Sequence, residues 1–334
     1  MSPPSSDCQS SMTRTVNSRL NLRVGEAVEV RSEAEILSRL DENGRLDGLP
    51  FMPEMLQFCG QRFRVHKSAH KTCDTIQKTG LRRMKQAVHL DNLRCNGEFH
   101  GGCQANCLLF WKEAWLKRIT VEQPREFVSA VQIKESCNQD IVFAATRVRG
   151  DNPQEEVFSC QATELRRATS PLPWWDIRQY LRDYLSGNVS LSHLLWIAAL
   201  ALFNMVQRKR GGRGYPYYEG KLANKTPRKT LGLNPGDLVE VKSKEEIEQT
   251  LGVNSRNRGL WFDVEMLAYC KSRFRVLQRI ERLIDEKSGK MIRLSNDCIM
   301  LDGVTCAGDH SVNRRLCPRA IYSYWREIWL KRVE

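Results

Sequence analysis

The chain of 334 residues lacks the short motifs by which several large classes of enzyme are recognised. It contains no P-loop, no G-x-G-x-x-G after a strand, no H-E-x-x-H and no G-x-S-x-G. These absences exclude a P-loop nucleotidase, a dinucleotide-binding dehydrogenase, a zincin protease and a serine hydrolase of the α/β type as sequence-based assignments. Any catalysis by this chain must therefore use a different arrangement of residues.

The start of the chain lacks the apolar core of a secretory signal, and the cysteines lack the density of a secreted disulfide scaffold. Residues 1–20 are rich in Ser, Thr and Asn and have no apolar periodicity, which predicts disorder. Both features favour a cytoplasmic protein, with membrane association as the alternative. In the cytoplasm, twelve cysteines indicate metal or redox chemistry more often than structural bridges.

Negative charge is scarce relative to positive charge. The chain has 52 Lys and Arg against 39 Asp and Glu, which gives a net charge of +13 and a pI near 9.3. This balance favours an anionic partner, such as nucleic acid, an anionic carbohydrate or an acidic membrane surface. A solvated basic surface explains it equally well. Arg62 and Arg64, matched later by Arg273 and Arg275, alternate with phenylalanine as on a basic strand face.

What the chain does contain is an internal repeat. Residues 22–97 align with residues 233–308 without a gap, and 28 of the 76 pairs are identical. After a three-residue insertion the match resumes, so that FWKEAWLKR at 110–118 corresponds to YWREIWLKR at 324–332. A repeat of this length indicates two copies of a domain, since solenoid units recur every ~20–50 residues. We therefore expect each copy to fold by itself and both to share one strand order.

Each copy is typical of a small, strongly bent β barrel of SH3-like or KOW type with one helical insertion, so the predicted fold class is α+β and mainly β. A glycine turn introduces a strand at Ala27–Val30, and Ser32 caps a short helix. In the second copy a hairpin turns at 287–289, and a further strand covers Cys298–Val304. Two tryptophans lie four residues apart near the end of each copy, and we expect a short helix there.

These patterns divide the chain into a disordered N-terminus (1–20), a first barrel (21–119), a middle segment (120–210), a basic linker (211–231) and a second barrel (232–334). The middle segment predicts strands at Phe127–Ile133 and Ile141–Val148 and helices near 176–186 and 190–208. Its apolar run 191–206 is slightly short for a bilayer-spanning helix and has polar interruptions. We expect a helix buried between domains, with peripheral membrane contact through 191–206 as the alternative.

Cysteines at matching positions of the two copies are the main functional signal. Three thiolates and one imidazole suffice for a tetrahedral zinc site, and thiolates would equally suit an iron–sulfur cluster. Each copy has three matched cysteines and a histidine between the last two. Further cysteines could supply a fourth ligand, with Cys73 or Cys107 available in the first copy. The predicted metal ligands are Cys59, Cys95, His100, Cys103 and Cys107 in the first copy, and Cys270, Cys298, Cys306, His310 and Cys317 in the second.

Other interpretations of these residues stay open. The cysteines could pack as small hydrophobic residues in two related cores, because no C-x-x-C pair is present to favour metal binding. A cysteine nucleophile with a loop histidine as its base is a third interpretation. The copies also share carboxylates, and we expect turn caps more than proton donors at Asp91 and Asp302; the other shared pairs are Glu54 with Glu265 and Asp74 with Asp285.

The segments KTCDT, CLLFWKEAWLKR, PLPWWDIRQYLRDYLSGN and CPRAIYSYWREIWLKR together resemble an uncharacterised bacterial family of tandem-repeat proteins with cysteine-containing SH3-like or KOW-like barrels. The resemblance covers nearly the whole chain beyond residue 20. It implies an association with gene clusters for surface polysaccharides and secondary metabolites. It implies no activity, substrate or catalytic residue.

The sequence therefore predicts a binding or scaffold protein with a zinc or iron–sulfur site in each copy. An enzyme of surface-polysaccharide or secondary-metabolite biosynthesis, with its cleft between the copies, is the second hypothesis. A basic nucleic-acid-binding protein is the third.

Overall fold

Two five-stranded antiparallel sheets with the same strand order form the framework of the protein. The computed structural model describes residues 19–119, 137–149 and 156–333. We call residues 19–119 the N-terminal unit and residues 232–333 the C-terminal unit, with the middle segment between them. Many short strands and few helices make up both units, so the expected α+β, mainly β class is confirmed.

The strands and helices are as follows. The N-terminal unit has β1 (Ala27–Val30), α1 (Glu33–Leu37), β2 (Arg45–Leu46), β3 (Leu49–Pro50), β4 (Arg62–Ser68), β5 (Lys71–Cys73), β6 (Leu81–Met84), β7 (Ala87–Leu90), β8 (Trp111–Lys112) and β9 (Leu116–Arg118). The middle segment has α2 (Gln139–Ala144), β10 (Arg147–Arg149), β11 (Glu156–Phe158), β12 (Thr169–Leu172), α3 (Arg178–Leu185) and α4 (Leu191–Lys209). The C-terminal unit has β13 (Leu238–Val241), α5 (Lys244–Glu248), β14 (Arg256–Asn257), β15 (Leu260–Trp261), β16 (Arg273–Arg279), β17 (Arg282–Ile284), β18 (Met291–Arg293), β19 (Ile299–Thr305), β20 (Tyr322–Trp325) and β21 (Leu330–Arg332).

The main sheet of each unit curls because one short turn joins its two edges. The strand order is β8-β7-β4-β1-β9 in the N-terminal unit and β20-β19-β16-β13-β21 in the C-terminal unit. Only the 3₁₀ turn Glu113–Trp115 separates β8 from β9, and only Arg326 and the 3₁₀ turn Glu327–Trp329 separate β20 from β21. The edges of a flat five-stranded sheet would lie roughly 19 Å apart, which is farther than so short a turn can reach. Each sheet therefore bends into a half-barrel.

Aromatic side chains fill the inside of each half-barrel. Phe51 packs edge-on against Trp111 and Trp115, with ring centroids 6.2 and 5.1 Å apart. All three side chains are at most 1% exposed. The C-terminal unit repeats this arrangement with Phe262, Trp325 and Trp329. The paired tryptophans of the sequence are therefore core residues.

Several local predictions are confirmed. Ser32 caps α1 with a full capping box that includes Glu35. The hairpin predicted around 287–289 is formed by β17 and β18, and the strand predicted at Cys298–Val304 is β19. The two helices predicted in the middle segment are α3 and α4. Apolar periodicity is a sufficient signal where a segment has one buried face, as in α1, whereas the length of its apolar run is what predicts α4.

Two local predictions are wrong. Ile141–Val148 is not a strand, because the Asn138 side chain accepts a hydrogen bond from the Ile141 N–H at 2.9 Å and starts α2. The tryptophan pairs do not lie on one helix, since the first tryptophan of each pair lies on a strand and the second ends the 3₁₀ turn that follows it. The strand predicted at Phe127–Ile133, and residues 1–18 of the N-terminus predicted to be disordered, lie outside the described residues.

The long helix α4 is exposed, contrary to the burial predicted for it. Of its 19 residues, Ile197 alone is buried. Its apolar composition predicts a helix, but it does not indicate whether other parts of the protein pack over that helix. None of the helices in the described part of the chain combines the length and the mean hydropathy needed to cross a bilayer.

The two units meet through contacts that mirror each other. The backbone N–H of Ile284, on β17, donates to Cys103 Sγ at 3.4 Å. The backbone N–H of Cys73, on β5, donates to Cys317 Sγ at 3.2 Å. Cys103 matches Cys317 in the sequence alignment, and Cys73 matches Ile284. Each unit therefore offers the same strand to the same cysteine of the other unit.

Arg319 lies at the centre of this seam and is 2% exposed. Its guanidinium donates to Thr75 Oγ1 at 2.8 Å and to Glu286 Oε1 at 2.7 Å, and Thr75 also donates to Glu286. Thr75 and Glu286 occupy matching positions of the alignment. The two units thus contact each other as the halves of a symmetric dimer do, because a residue of one unit contacts the residue at the matching position of the other unit.

Candidate metal centre

A 3₁₀ turn and a tight loop of the N-terminal unit position the candidate ligands. Glu54 lies in the 3₁₀ turn Pro53–Phe58, whose first three residues are buried. The Cys95 N–H donates to the Cys107 carbonyl at 2.8 Å and closes the base of the loop 95–107. Gly97 has φ +74°, and a Cβ there would lie 2.0 Å from the carbonyl oxygen of Cys103, so only glycine fits. This turn brings the loop back over the Cys95 side chain.

The side chains of Glu54, Cys95 and His100 converge on one point. A carboxylate oxygen, the sulfur and an imidazole nitrogen all lie within 4.8 Å of one another, and Cys95 Sγ is 3.1 Å from His100 Nε2. Glu54 and His100 are 3% and 1% exposed, and Cys95 is partly buried. Oxygen, sulfur and nitrogen donors at this spacing could hold a metal ion.

Three polar atoms of this group lack hydrogen-bond partners. Neither carboxylate oxygen of Glu54 has one, and neither has His100 Nδ1. The Cys95 sulfur lies within 4.8 Å of the carboxylate and opposes the rise in the Glu54 pKa, but no hydrogen bond of ordinary geometry joins the two groups. Burial raises the pKa values of Glu54 and Cys95 and lowers the pKa of His100 to about 4. A buried unsatisfied polar group is unfavourable by about 1–3 kcal/mol, which a bound cation would offset.

A cavity of about 40 Å³ adjoins the three side chains. Cys103, Cys107 and Cys160 line it as well. Burial raises the pKa of Cys107 to about 12 and that of Cys160 to about 11, so both are protonated thiols unless a metal binds them. Glu286 and Arg319 reach the same cavity from the C-terminal unit. The candidate site therefore lies where the two units meet.

The structure brings together part of the predicted ligand set. Cys95 and His100 belong to the converging group, and Cys103 and Cys107 line its cavity. Cys59 packs against the hydrophobic core of the N-terminal unit instead, where burial raises its pKa to about 11. The converging group is the one set of three or more candidate ligands within 4.8 Å among the described residues, so neither predicted trio of cysteines is that compact.

At the matching position of the C-terminal unit, the carboxylate is already satisfied. Glu265 accepts hydrogen bonds from the three backbone N–H groups of residues 309–311, at distances of 3.1, 2.8 and 2.8 Å. Cys306 Sγ accepts from Arg314 at 3.7 Å. The C-terminal unit thus uses its glutamate to close a loop, whereas the N-terminal unit leaves its glutamate facing sulfur and imidazole.

The other predicted ligands of the C-terminal unit have separate surroundings. Cys270 packs against the core of that unit, and Cys298 belongs to a second apolar cluster with Ile280 and Met300. Cys317 contacts Cys73 across the seam. A second ligand group does not form among these residues in the described chain.

Four neighbours of the site do not follow from the sequence patterns: Glu54, Cys160, Glu286 and Arg319. The one signal for Glu54 is its identity with Glu265, which indicates a shared role although the two carboxylates have different partners. The other three residues come from distant segments and belong to no motif. Only the folded chain brings them to the cavity.

All eleven described cysteines are free thiols, so the sulfurs near the site remain available as ligands.

Comparisons of the chain with protein-family models, with curated proteins and with solved structures gave no match. The geometry of the site is therefore what indicates its function.

Proposed function

We propose that this chain is a metal-binding scaffold of two SH3-like copies, in which a zinc ion held by the N-terminal copy locks the seam between them. The observation that carries this proposal is the buried carboxylate of Glu54, which has no hydrogen-bond partner and faces Cys95 and His100. Such a carboxylate is unfavourable inside a protein unless a cation or a proton satisfies it.

Strand registers support the duplication. The pairing of β1 with β4 and the pairing of β13 with β16 have registers that are 211 residues apart throughout. The next pairing in each sheet has a bulge at the matching place, after Val65 and after Val276. Such bulges are specific local features, so their repetition favours a common origin over a chance likeness. The curled sheet with its 3₁₀ turn supports the SH3-like description.

Zinc fits the donor set better than an iron–sulfur cluster does. Zn²⁺ accepts sulfur, imidazole nitrogen and carboxylate oxygen in one tetrahedral site, whereas clusters are held mainly by thiolates. Three donors come from the converging group. The fourth position would go to Cys103 or Cys107, whose side chains line the adjoining cavity.

The residues around the site indicate what the ion would do. Zinc would tie the loop 95–107 to the turn that carries Glu54. Cys103 of that loop also contacts β17 of the C-terminal unit, so an ordered loop stabilises the seam. Cys95 must lose its proton to bind zinc, and because burial raises its pKa, zinc affinity should increase with pH.

Metal content of the purified full-length protein tests the proposal. We expect about one zinc per chain by elemental analysis. Glu54→Gln and Cys95→Ser should each lower zinc affinity by more than about tenfold in a competition with a chromophoric chelator, because each removes a direct ligand. Glu265→Gln and Cys306→Ser are the matched controls, since they change the same residue types in the C-terminal unit and should retain zinc. Unchanged affinity in both N-terminal variants contradicts the proposal.

A further inference from the structure

The exposed apolar surface of the protein is concentrated in one segment. Of the twenty large hydrophobic residues exposed in the described chain, thirteen lie between residues 174 and 206. Exposed hydrophobic residues scattered singly need no explanation, but a contiguous apolar face usually marks a binding surface. We call this surface the α3–α4 face, formed by α3, α4 and the two tryptophans that precede α3.

Helix α4 supplies most of the α3–α4 face. At 100° per residue, its exposed apolar side chains cover an arc of roughly 180° around the helix axis. The opposite side is fixed to the protein, because His193 contacts Asp309 at 3.0 Å and Asn204 donates to the Tyr215 carbonyl at 2.8 Å. The exposed arc is formed by Leu191, Leu195, Trp196, Leu202, Phe203, Met205 and Val206.

Residues from the start of α3 extend this surface beyond α4. Trp174 and Trp175 are 60% and 66% exposed, although tryptophan is rarely so exposed on a surface that has no partner. Trp174 and the second half of α4 line a cavity of about 540 Å³, which also includes Arg208 and Lys209. With Arg315, the cavity therefore offers apolar walls together with three cations. The outer side of α3 adds Leu181, Tyr184 and Leu185.

The charges in this segment are almost all positive. Between residues 174 and 213, the sequence has six Arg and Lys but only two acidic residues. Asp176 is paired with Arg83 and Arg178 at 2.7 and 2.9 Å, and Asp183 is fully buried against Lys71. Both acidic side chains are therefore neutralised, and the cations that remain would attract a negatively charged partner.

A cleft beside α3 strengthens this positive potential. It has a volume of about 410 Å³ and is lined by Arg178 and Arg182 of α3 together with Arg19, Arg83 and Lys85. Arg19, Lys85 and Arg182 form no ion pair with any described carboxylate. The face thus combines broad apolar area, exposed tryptophan and unpaired cations.

We propose that the α3–α4 face docks on an anionic phospholipid membrane, with the apolar arc of α4 in the headgroup region and the cations on lipid phosphates. This composition is typical of helices that lie in a membrane interface. A second copy of the chain is the weaker candidate, because two helices pair through a narrow stripe and the arc here covers half of the helix. Tryptophan and lysine or arginine at the border of an apolar face are also features of membrane interfaces.

Vesicle co-sedimentation of the full-length protein tests this proposal. We expect the protein to sediment with vesicles of equimolar phosphatidylcholine and phosphatidylglycerol, to bind pure phosphatidylcholine vesicles less, and to dissociate as salt increases. Brominated lipids in the anionic vesicles should quench tryptophan fluorescence, because Trp174, Trp175 and Trp196 would contact lipid while most other tryptophans are buried.

Two variants locate the binding surface. Leu195→Gln combined with Leu202→Gln should weaken vesicle binding by about tenfold per leucine, since two apolar side chains leave the lipid phase. Val253→Gln is the matched control, because Val253 is 72% exposed but lies outside the α3–α4 face, and its binding should be unchanged. Near-UV circular dichroism confirms that each variant is folded.

Two results would overturn the proposal. One is protein that stays in the supernatant with the anionic vesicles at low salt. The other is a dimer, seen by light scattering without lipid, that Leu195→Gln and Leu202→Gln dissociate while vesicle binding stays the same, which would assign the face to a second copy of the chain.

Discussion

At the scale of single residues, Glu54 and Glu265 differ in their partners although the alignment makes them equivalent. Glu265 accepts three backbone hydrogen bonds, and Glu54 accepts none. The sequence predicts the approach of Cys95 to His100, because both lie in one glycine-rich loop. It does not predict that Glu54 joins them, because identical residues in two copies imply the same contacts and the loops above them differ.

Two buried histidines make the native state sensitive to acid. Burial lowers the pKa of His70 to about 3 and that of His89 to about 3. His89 Nδ1 donates to the Leu109 carbonyl at 2.8 Å, and its buried Nε2 has no acceptor for a second proton, so the lowered pKa leaves its imidazole neutral in the folded protein. An unfolded histidine takes up a proton near pH 6.5. The stability that these two neutral histidines contribute is therefore fully present above about pH 6.5. It is lost as the pH falls toward their folded pKa.

We expect His89→Asn to flatten the acid dependence of unfolding. Each such histidine contributes a slope of about 1.4 kcal/mol per pH unit at pH values between its folded and unfolded pKa. The asparagine amide can keep the bond to Leu109 but binds no proton, so urea unfolding between pH 5.5 and 4 should show a slope smaller by about that amount. Val88→Ala, in the same strand, is the control for lost packing and should lower stability without changing the slope. An unchanged slope in His89→Asn would mean that His89 is protonated in the native state.

At the scale of elements, periodicity predicts which segments form helices but not what covers them. Helix α4 is predicted from its apolar run and lies where expected, but the prediction that it is buried is wrong. A helix that is apolar on most sides is usually buried in a large core or a membrane, and the sequence carries no information on which neighbour would cover it. The same limit applies to the tryptophan pairs, whose spacing of four suits a helix as well as a strand with a turn.

A buried ion pair anchors α3 to the N-terminal unit. Lys71, on β5, lies 2.6 Å from Asp183, on α3, and both side chains are 0% exposed. Burial raises the pKa of Asp183 to about 6 although the Lys71 ammonium opposes that change. The pair is therefore poorly solvated, and each charge depends on the other.

We expect Asp183→Asn to destabilise the protein by about 3–5 kcal/mol, because it leaves the Lys71 ammonium buried without a counter-charge. Adding Lys71→Met removes that ammonium, so the double variant should recover most of the lost free energy of unfolding. Urea denaturation followed by tryptophan fluorescence measures both. Arg62→Met with Glu29→Gln is the surface control, since that pair is exposed and should contribute less than about 1 kcal/mol. A small effect of Asp183→Asn alone would show that the pair does not hold α3.

At the scale of the whole molecule, the sequence predicts two copies that fold independently. The structure instead joins the two units by buried contacts along the seam. The gapless alignment explains the shared strand order, because matched apolar positions specify matched strands. It does not indicate that the two units contact each other, because two of the matched pairs in the seam differ in identity and the identical pair, Cys103 and Cys317, equally suits a metal site. Cys73 matches Ile284 and Thr75 matches Glu286, yet each lies in the seam.

We expect the two units to remain associated after the chain between them is cut. A protease site inserted between Gly211 and Gly212, which are exposed, would separate residues up to 211 from the rest. Across the cut, Thr75 is hydrogen-bonded to both Arg319 and Glu286, and two backbone N–H groups donate to cysteine sulfurs, so separation would break all of these buried contacts. The two pieces should therefore elute as one species in size-exclusion chromatography. Arg319→Ala leaves Glu286 without its cation and should weaken the association of the two pieces. The variant pieces should therefore begin to dissociate at a higher protein concentration than the cleaved wild type. Two well-folded pieces that elute apart in the cleaved wild type would instead show that each copy is stable alone.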